Sequence, residues 1–495
     1  MNLPPKILAH VATFLCANDY VAMAGASRAF RRVNEVYHQH MDDCQIAVTK
    51  QAIYDGRNVF LTGRAGTGKS WRLRELVHIL EDDLGYLPHE IFLTGSTGKS
   101  AININGTTVH SCWPYACFNT IRDIERLKGH PNSRDRDKKN WIACRALVID
   151  EVSMVSDKLM DRLNRGAQML LENTLPFGGV QVIVIGDMLQ LKPVEGKYVF
   201  QSKVWERMNF NVLNLNYSHR QEDRKLDAVL KRMRFGENTS RDFEWMRSRI
   251  RSGKNVPNDV PHLYTANWAT KKHNDRQLEA IEDPGVTYNA VDHYVTKNVI
   301  IIEGRREEIE LPYEPTERII EKTKKLMPNI ERSMPSQITL KPTGIYILTR
   351  NMNVSAGLGN GTKLVSRRSS QIDGRSTLFS YEHRDKERNI RIMTTTKCFR
   401  IDSIGKNHIY LKRTQYPLIY GHAITIHKSQ GETLQKYHAD ISSVRADSPG
   451  QVYVALSRGK RGRDITISKF NAKRVKADPV AVSFYQKLGI GPDPE

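Results

Sequence analysis

Apolar and polar positions follow two different patterns along this chain. Asn58 to Thr62, Ile91 to Thr94, Leu147 to Ile149 and Val182 onward are short runs of mostly apolar residues, as expected of strands covered on both faces. After the first run, Leu73, Leu76, Val77 and Leu80 recur at i, i+3, i+4 and i+7, which predicts a helix with one apolar face. Alternating strands and helices predict an α/β fold with a parallel sheet, its ligands at the C-terminal ends of the strands. From about residue 295 to 413 the helical period fades. Short β runs take over at Val299 to Ile302, Ile345 to Leu348, Ile390 to Met393 and Ile409 to Leu411, with Gly357, Gly359 and Gly361 marking turns. These predict a small β module. At the N-terminus, Ile7, Leu8, Val11, Phe14 and Leu15 share one helical face, and two more short helices are expected before residue 36. Three such helices bury too little to stand alone, so a cap on the larger domain is one reading of them.

Chemistry enters at the end of the first apolar run. Gly63, Arg64, Ala65, Gly66, Thr67, Gly68, Lys69 and Ser70 fit the phosphate-loop pattern GxxxxGK[ST], in the strand–loop–helix context the pattern needs. Glycines let backbone N–H groups curl around phosphate oxygens, and the following helix adds its positive end. Lys69 is expected on the β- and γ-phosphates and Ser70 on Mg²⁺. Leu147-Val-Ile149 leads straight to Asp150-Glu151. A carboxylate there suits Mg²⁺ held through water, and its neighbour suits polarisation of the attacking water. Val182 to Gln190 ends in Gly-Asp and places Gln190 as a γ-phosphate sensor. Arg220 follows a further strand, and Arg458 closes the expected helix QVYVALSR. Both are candidates to stabilise charge on the γ-phosphate across a cleft.

Other stretches point to a phosphate chain rather than a single nucleotide. Glu90 to Ser111 runs from a strand into a loop of small and hydroxylated residues that includes Thr97, Thr108 and His110. Gly98-Lys99-Ser100 superficially repeats GKS, but Leu93 stands where the first glycine would be, so it is not a second phosphate loop. Gly421 to Leu434 packs Thr425, His427, Lys428, Ser429 and Gln430 together, a density of donors that suits nucleic-acid contact. Residues 114 to 139 are highly charged and read as a solvated insert.

Charge sharpens this picture. Among 495 residues, Lys and Arg number 75 against 54 Asp and Glu, a net charge of +21 that suits a polyanionic partner. Six cysteines make no disulfide framework. His110, Cys112 and Cys117 lie close together, but no second pair at zinc-finger spacing follows. No apolar run is long enough to span a membrane. An intracellular, reduced protein is expected.

The motifs together resemble those of the PIF-type (petite integration frequency) DNA helicases, in the RecD-like branch of superfamily one. GRAGTGKS, TGSTGKSA with TTVHS, VIDEVSM, PFGGVQVIVIGDMLQL, HRQ, LGNGT, AITIHKSQGETL and QVYVALSR stand in the family's order, from about Gln45 to Ser468. Lys99, His219 and Lys192 depart from the family's usual residues without removing a catalytic group. The resemblance implies an α/β protein of two RecD-like P-loop ATPase domains, with ATP and Mg²⁺ in the cleft between them. The first spans 43–210, with a small insert or wedge at 112–140. The second spans 211–294 and 414–495, interrupted by an SH3-like β module at 295–413. It implies 5′-to-3′ movement along single-stranded DNA and unwinding of tailed duplexes, in replication, repair, recombination or telomere maintenance. A nuclear or mitochondrial setting would follow in a eukaryote. Thr97, Thr108, His110, Thr425, His427, Lys428 and Ser429 would contact DNA, and Gln45 would read adenine. Residues 1–42 resemble an F-box, on Leu3-Pro4, Ile7-Leu8, Phe14-Leu15, Asp19, Ser27-Arg28 and Phe30-Arg31. That implies a Skp-type adaptor bound through residues 3–33. The alternatives are an F-box adaptor whose ATPase core recognises DNA, and a P-loop ATPase that separates no strands.

Overall fold

Five residues of the first apolar run, Val59–Gly63, form strand β1, and every one of them is buried. A computed structural model of the chain describes residues 47–112, 141–252, 256–257, 260–302, 305–353, 356–367, 376–383, 386–404, 407–445 and 447–492. Gln45, the F-box-like segment 1–42 and most of the expected insert, 113–140, lie outside the described residues. Around β1 stand β2 (Ile91–Gly95), β3 (Thr107–Thr108), β4 (Ala146–Asp150), β5 (Gln181–Ile185) and β6 (Asn211–Leu215). They form one sheet in the order β3-β2-β4-β5-β1-β6, with all pairings parallel.

The continuous apolar runs have a simple cause. Side chains alternate across a strand, and both faces of this sheet are covered. Phe60, Leu147, Ile149, Val182 and Val184 enter one core, with Leu159, Met160 and Leu163 of α3 (Asp157–Leu171) and with Ala481 and Tyr485 of the helix Pro479–Lys487. Val59, Leu61, Ala146, Val148, Ile183 and Ile185 enter the other, with Leu73 and Leu76 of α1 (Lys69–His78). Between these helices along the chain comes the short α2 (Gly98–Asn103), capped by Thr97. Beyond β6, α4 (Arg224–Phe235) starts at an Asp223 cap and stops at left-handed Gly236. A smaller parallel sheet runs through His262–Tyr264, Tyr437–Asp440 and Ile465–Ile467.

Two expectations need correction. A domain break after residue 210 would cut the first sheet, because β6 pairs with β1 along its whole length, Val59 to Gly63 against Asn211 to Leu215. The β module is also larger than 295–413 and not purely β. Asn267–Ile424 forms a compact unit of its own, distinct from the residues up to Ala266 and from Thr425–Glu495. That unit holds a five-stranded and a four-stranded antiparallel sheet, and it contains all four predicted β runs. It also holds a 17-residue helix, Glu317–Ser333, which buries Ile319, Thr323 and Ile330.

Candidate nucleotide site and nucleic-acid interface

The sheet order sets β4, β5 and β1 side by side, so the loops leaving their C-terminal ends converge. Gly63 ends β1 at φ 141°, where an added Cβ would lie 2.4 Å from the Leu215 carbonyl oxygen. Gly66 and Gly68 take φ of 88° and 80°, which glycine adopts without strain. Thr67 Oγ1 donates to the Arg64 carbonyl at 3.0 Å, and the Ala65 N–H donates to Tyr453 Oη at 2.9 Å. Arg64 turns its side chain away, onto Asp227 and the Asn216 carbonyl, so it anchors the loop while its backbone stays in it. Lys69 Nζ donates to the Gly63 and Arg64 carbonyls at 2.7 and 2.8 Å. Burial lowers its pKa to about 8, against the opposing pull of Asp187 and Glu151. Ser70 sits in the first turn of α1, where an anion meets free N–H groups and the helix dipole.

The neighbouring loops complete a cavity of about 390 Å³, lined by Lys69, Ser70, Glu151, Gln190, Arg220 and Arg458 among others. Asp150 ends β4 and is buried; desolvation, then the charge of Glu151, raise its pKa to about 7. Glu151 takes a left-handed conformation, φ 53°. Such strain costs a non-glycine residue about 1–2 kcal/mol and collects at functional sites. Gln430 Nε2 holds the Glu151 carboxylate at 3.0 Å and Ser153 Oγ at 3.2 Å. Gln190 is buried, and its Oε1 has no hydrogen-bond partner among the described residues. Arg220 Nη1 donates to the Ser457 carbonyl at 3.0 Å, and burial lowers its pKa to about 9. Arg458 is 1% exposed and donates to the Val454 carbonyl at 2.9 Å and to Ser457 Oγ at 2.7 Å. Burial lowers its pKa as well. Among the described residues, no carboxylate lies within ion-pair distance of Lys69, Arg220 or Arg458. A polyanion is what such a cavity fits.

Residues 40–259 match the family described as PIF1-like helicase. A frog (Xenopus laevis) protein, ATP-dependent DNA helicase PIF1, is 30% identical over 88% of this chain and 62% of its own length. The chain thus spans under two thirds of that relative. The crystal structure of Pif1 helicase from Candida albicans superposes with a TM-score of 0.73 at 26% identity, covering 90% of this chain and 98% of that one. The chain is similar to PIF1-like helicases over most of its length. A Bacteroides Pif1 structure shares the fold, with a TM-score of 0.69 at 23% identity over 90% of this chain and 96% of that one.

Among the PIF1-like features read from sequence, the structure gathers Lys69, Asp150, Glu151, Gln190, Arg220 and Arg458 at one place. The expected DNA contacts divide. Thr425 and Ser429 turn inward: Thr425 Oγ1 accepts from the Lys428 N–H at 3.3 Å, and Ser429 Oγ donates to the Ile426 carbonyl at 2.8 Å. Both shape the turn, and Ser429 is fully buried, so its assignment as a DNA contact is corrected. The turn leaves Lys428 exposed and His427 half-buried. On the other loop, Thr97 accepts from the Ser100 N–H at 3.1 Å as the cap of α2, Thr108 lies in β3, and His110 is exposed. Lys99, unusual for the family, pairs with Glu432 at 3.6 Å.

Sequence reasoning passed over several residues that hold the site. Gln430 stood out only as one polar residue in a dense turn, not as the partner of Glu151. Asp187 accepts Arg234 Nη2 at 3.0 Å inside the core, and Arg234 is held charged by it despite burial. Gly450 has a legible signal only in three dimensions, since a Cβ there would come 2.5 Å from the Gln190 carbonyl.

Proposed function

We propose that this chain is an ATP-dependent DNA helicase that moves 5′ to 3′ along single-stranded DNA and unwinds tailed duplexes. The observation that carries the reading is the cluster of Lys69, Arg220 and Arg458, three cations around a phosphate loop without a carboxylate partner, beside a strained Glu151. ATP fits that cavity: the loop N–H groups and Lys69 would hold its phosphates, and Ser70 with Asp150 would hold Mg²⁺. Glu151, steered by Gln430, is the base that orients and deprotonates the attacking water. Gln190 offers its orphaned carbonyl oxygen to that water or to a donor beside the γ-phosphate. Arg220 and Arg458 stabilise the charge that builds on the transferring phosphoryl group. Arg458 is tied to the turn that presents His427 and Lys428, through the Ser429 carbonyl at 3.4 Å. Movement of that arginine with nucleotide state therefore moves a phosphate-contacting turn, which is how hydrolysis becomes stepping. The outward groups at this surface suit backbone contact with little base preference.

The relatives carry the name ATP-dependent DNA helicase, and the Bacteroides protein is bound to single-stranded DNA in its crystal. No described helix is long and apolar enough to cross a membrane, and a nuclear or mitochondrial setting suits the activity in a eukaryote. The test is the rate of ATP hydrolysis with and without single-stranded DNA, beside unwinding of duplexes tailed at either end. Stimulation by DNA and unwinding from the 5′ tail alone are expected, both lost in Lys69→Ala. Hydrolysis at the parental rate in that variant would remove the site assignment.

A further inference from the structure

The helix Pro479–Lys487 follows the last of the motifs discussed so far. It starts at Asp478, whose side chain accepts the Val480 N–H at 2.9 Å, with Pro479 in its first turn. Phe484 stacks on Phe200 with ring centroids 4.0 Å apart, and the adjacent Tyr485 is fully buried. The Tyr485 ring packs into the core on one face of the first sheet, with Arg234 4.9 Å from its centre. Its hydroxyl then meets two chain segments at once. Thr62 Oγ1 lies 2.5 Å away, and the Met188 N–H donates to it at 3.0 Å. Thr62 immediately precedes Gly63 of the phosphate loop. Met188 immediately follows Asp187 and stands two residues before Gln190. A third contact, 3.4 Å to Asp187 Oδ1, joins the hydroxyl to the buried Asp187–Arg234 pair. Tyr453 reaches the same carboxylate at 3.4 Å while accepting the Ala65 N–H.

We propose that Tyr485 is a positioning residue of the nucleotide site, its hydroxyl fixing the phosphate loop and the Gln190 loop relative to each other. The inference rests on the nucleotide reading given above. β1 and β5 are neighbours in the sheet, but their paired register ends at Leu61 and Ile185, short of both loops. Beyond the backbone bond from the Gly186 N–H to the Leu61 carbonyl at 3.1 Å, side chains bridge the two segments, and the Tyr485 hydroxyl is one that touches both. Phosphate held by one loop is then presented at a defined distance from Gln190 on the other. Small displacements at such a site are enough to lose much of a rate.

The experiment uses the full chain and compares Tyr485→Phe, Thr62→Val and the double variant. It measures the dissociation constant of a fluorescent ATP analogue, KM and kcat for DNA-stimulated hydrolysis, and the melting midpoint. Tyr485→Phe keeps the ring and its packing. Each single change should raise the ATP KM and the analogue's dissociation constant about tenfold in protein that remains folded. The double variant should be no worse than Tyr485→Phe alone, because Tyr485→Phe already removes the bond between the two side chains that Thr62→Val breaks. Parental KM and binding in folded Tyr485→Phe would overturn the proposal, as would a lowered melting midpoint with no other change. Full additivity in the double variant would do the same. If Tyr485→Phe does not fold, Thr62→Val alone decides by the same KM criterion. Lys69→Ala separates the two levels. If it abolishes hydrolysis while Tyr485→Phe is neutral, only the positioning role falls. If it is itself neutral, the nucleotide site falls with it.

Discussion

Two buried arginines, one in each compact unit, show opposite solutions to the same physical problem. Arg413 lies in the unit Asn267–Ile424 and Arg458 in the other; they are 2% and 1% exposed. Arg413 has every side of its guanidinium answered. Asp292 accepts from Nε and Nη2 at 2.7 Å each, and Glu331 and the Met334 carbonyl accept from Nη1 at 2.8 and 2.9 Å. Those partners raise its pKa above the ordinary arginine value, against the cost of desolvation. Arg458 is surrounded by carbonyls and a hydroxyl, and burial lowers its pKa. A buried charge without a counter-ion is unfavourable by several kcal/mol. Arg413 is a finished structural joint; on the function proposed above, the charge of Arg458 is answered when the nucleotide's phosphates enter.

The comparison breaks most visibly if both arginines are removed in turn. Arg458→Met should lower DNA-stimulated ATP hydrolysis by about 10³-fold or more, the range for a transition-state arginine, with the melting midpoint unchanged or raised. A variant that melts earlier and hydrolyses normally would put Arg458 in the same class as Arg413. Next in size, Glu151→Gln should bind ATP and DNA as the parent does and turn over about 10²–10⁴-fold more slowly, since only the proton acceptor is lost. Loss of nucleotide binding instead would make Glu151 structural.

Arg413→Met supplies the opposite half. It leaves Asp292 and Glu331 without their shared partner, and both carboxylates keep about a third of their exposure, which softens the loss. Destabilisation of about 2–3 kcal/mol is expected, read from denaturant unfolding followed by a probe in that unit, with hydrolysis by the folded fraction unchanged. A large fall in kcat with no change in stability would contradict the structural role.

The same contrast explains how much could be read from the sequence. Strand, phosphate loop and helix are adjacent in the chain, so Gly63 to Ser70 announced themselves through local pattern. Asp150 and Glu151 did so through the apolar run before them. Long-range relations were not legible. Asn211 to Leu215 reads equally well as the first strand of a new domain, and only the pairing with β1 decides otherwise. Tyr485 looks like any aromatic core residue until its hydroxyl is seen between Thr62 and Met188. The helix Glu317–Ser333 is a different case, because its signal was present. Ile319, Thr323, Leu326 and Ile330 follow helical spacing, but the polar Thr323 and the internal Pro328 diluted it. Ser429 shows the limit of composition: a dense polar turn includes residues whose hydroxyls satisfy the turn itself.

The smallest expected effect separates the outward from the inward members of that turn. Lys428 is exposed, whereas Ser429 is fully buried with its hydroxyl on the Ile426 carbonyl. A lysine on a phosphate releases condensed counter-ion when DNA binds, so removing it flattens the dependence of affinity on salt. Lys428→Ala should reduce the slope of log K against log salt for single-stranded DNA by about 0.7, weakening binding modestly and for all sequences alike. Ser429→Ala should leave that slope unchanged and lower stability by about 1 kcal/mol, the worth of one hydrogen bond. Titration of single-stranded DNA at several salt concentrations, beside a denaturant curve for each variant, reads both. If Ser429→Ala changes the slope and Lys428→Ala does not, the turn presents itself to DNA by its inner face, and the link from Arg458 to the strand must run through another surface.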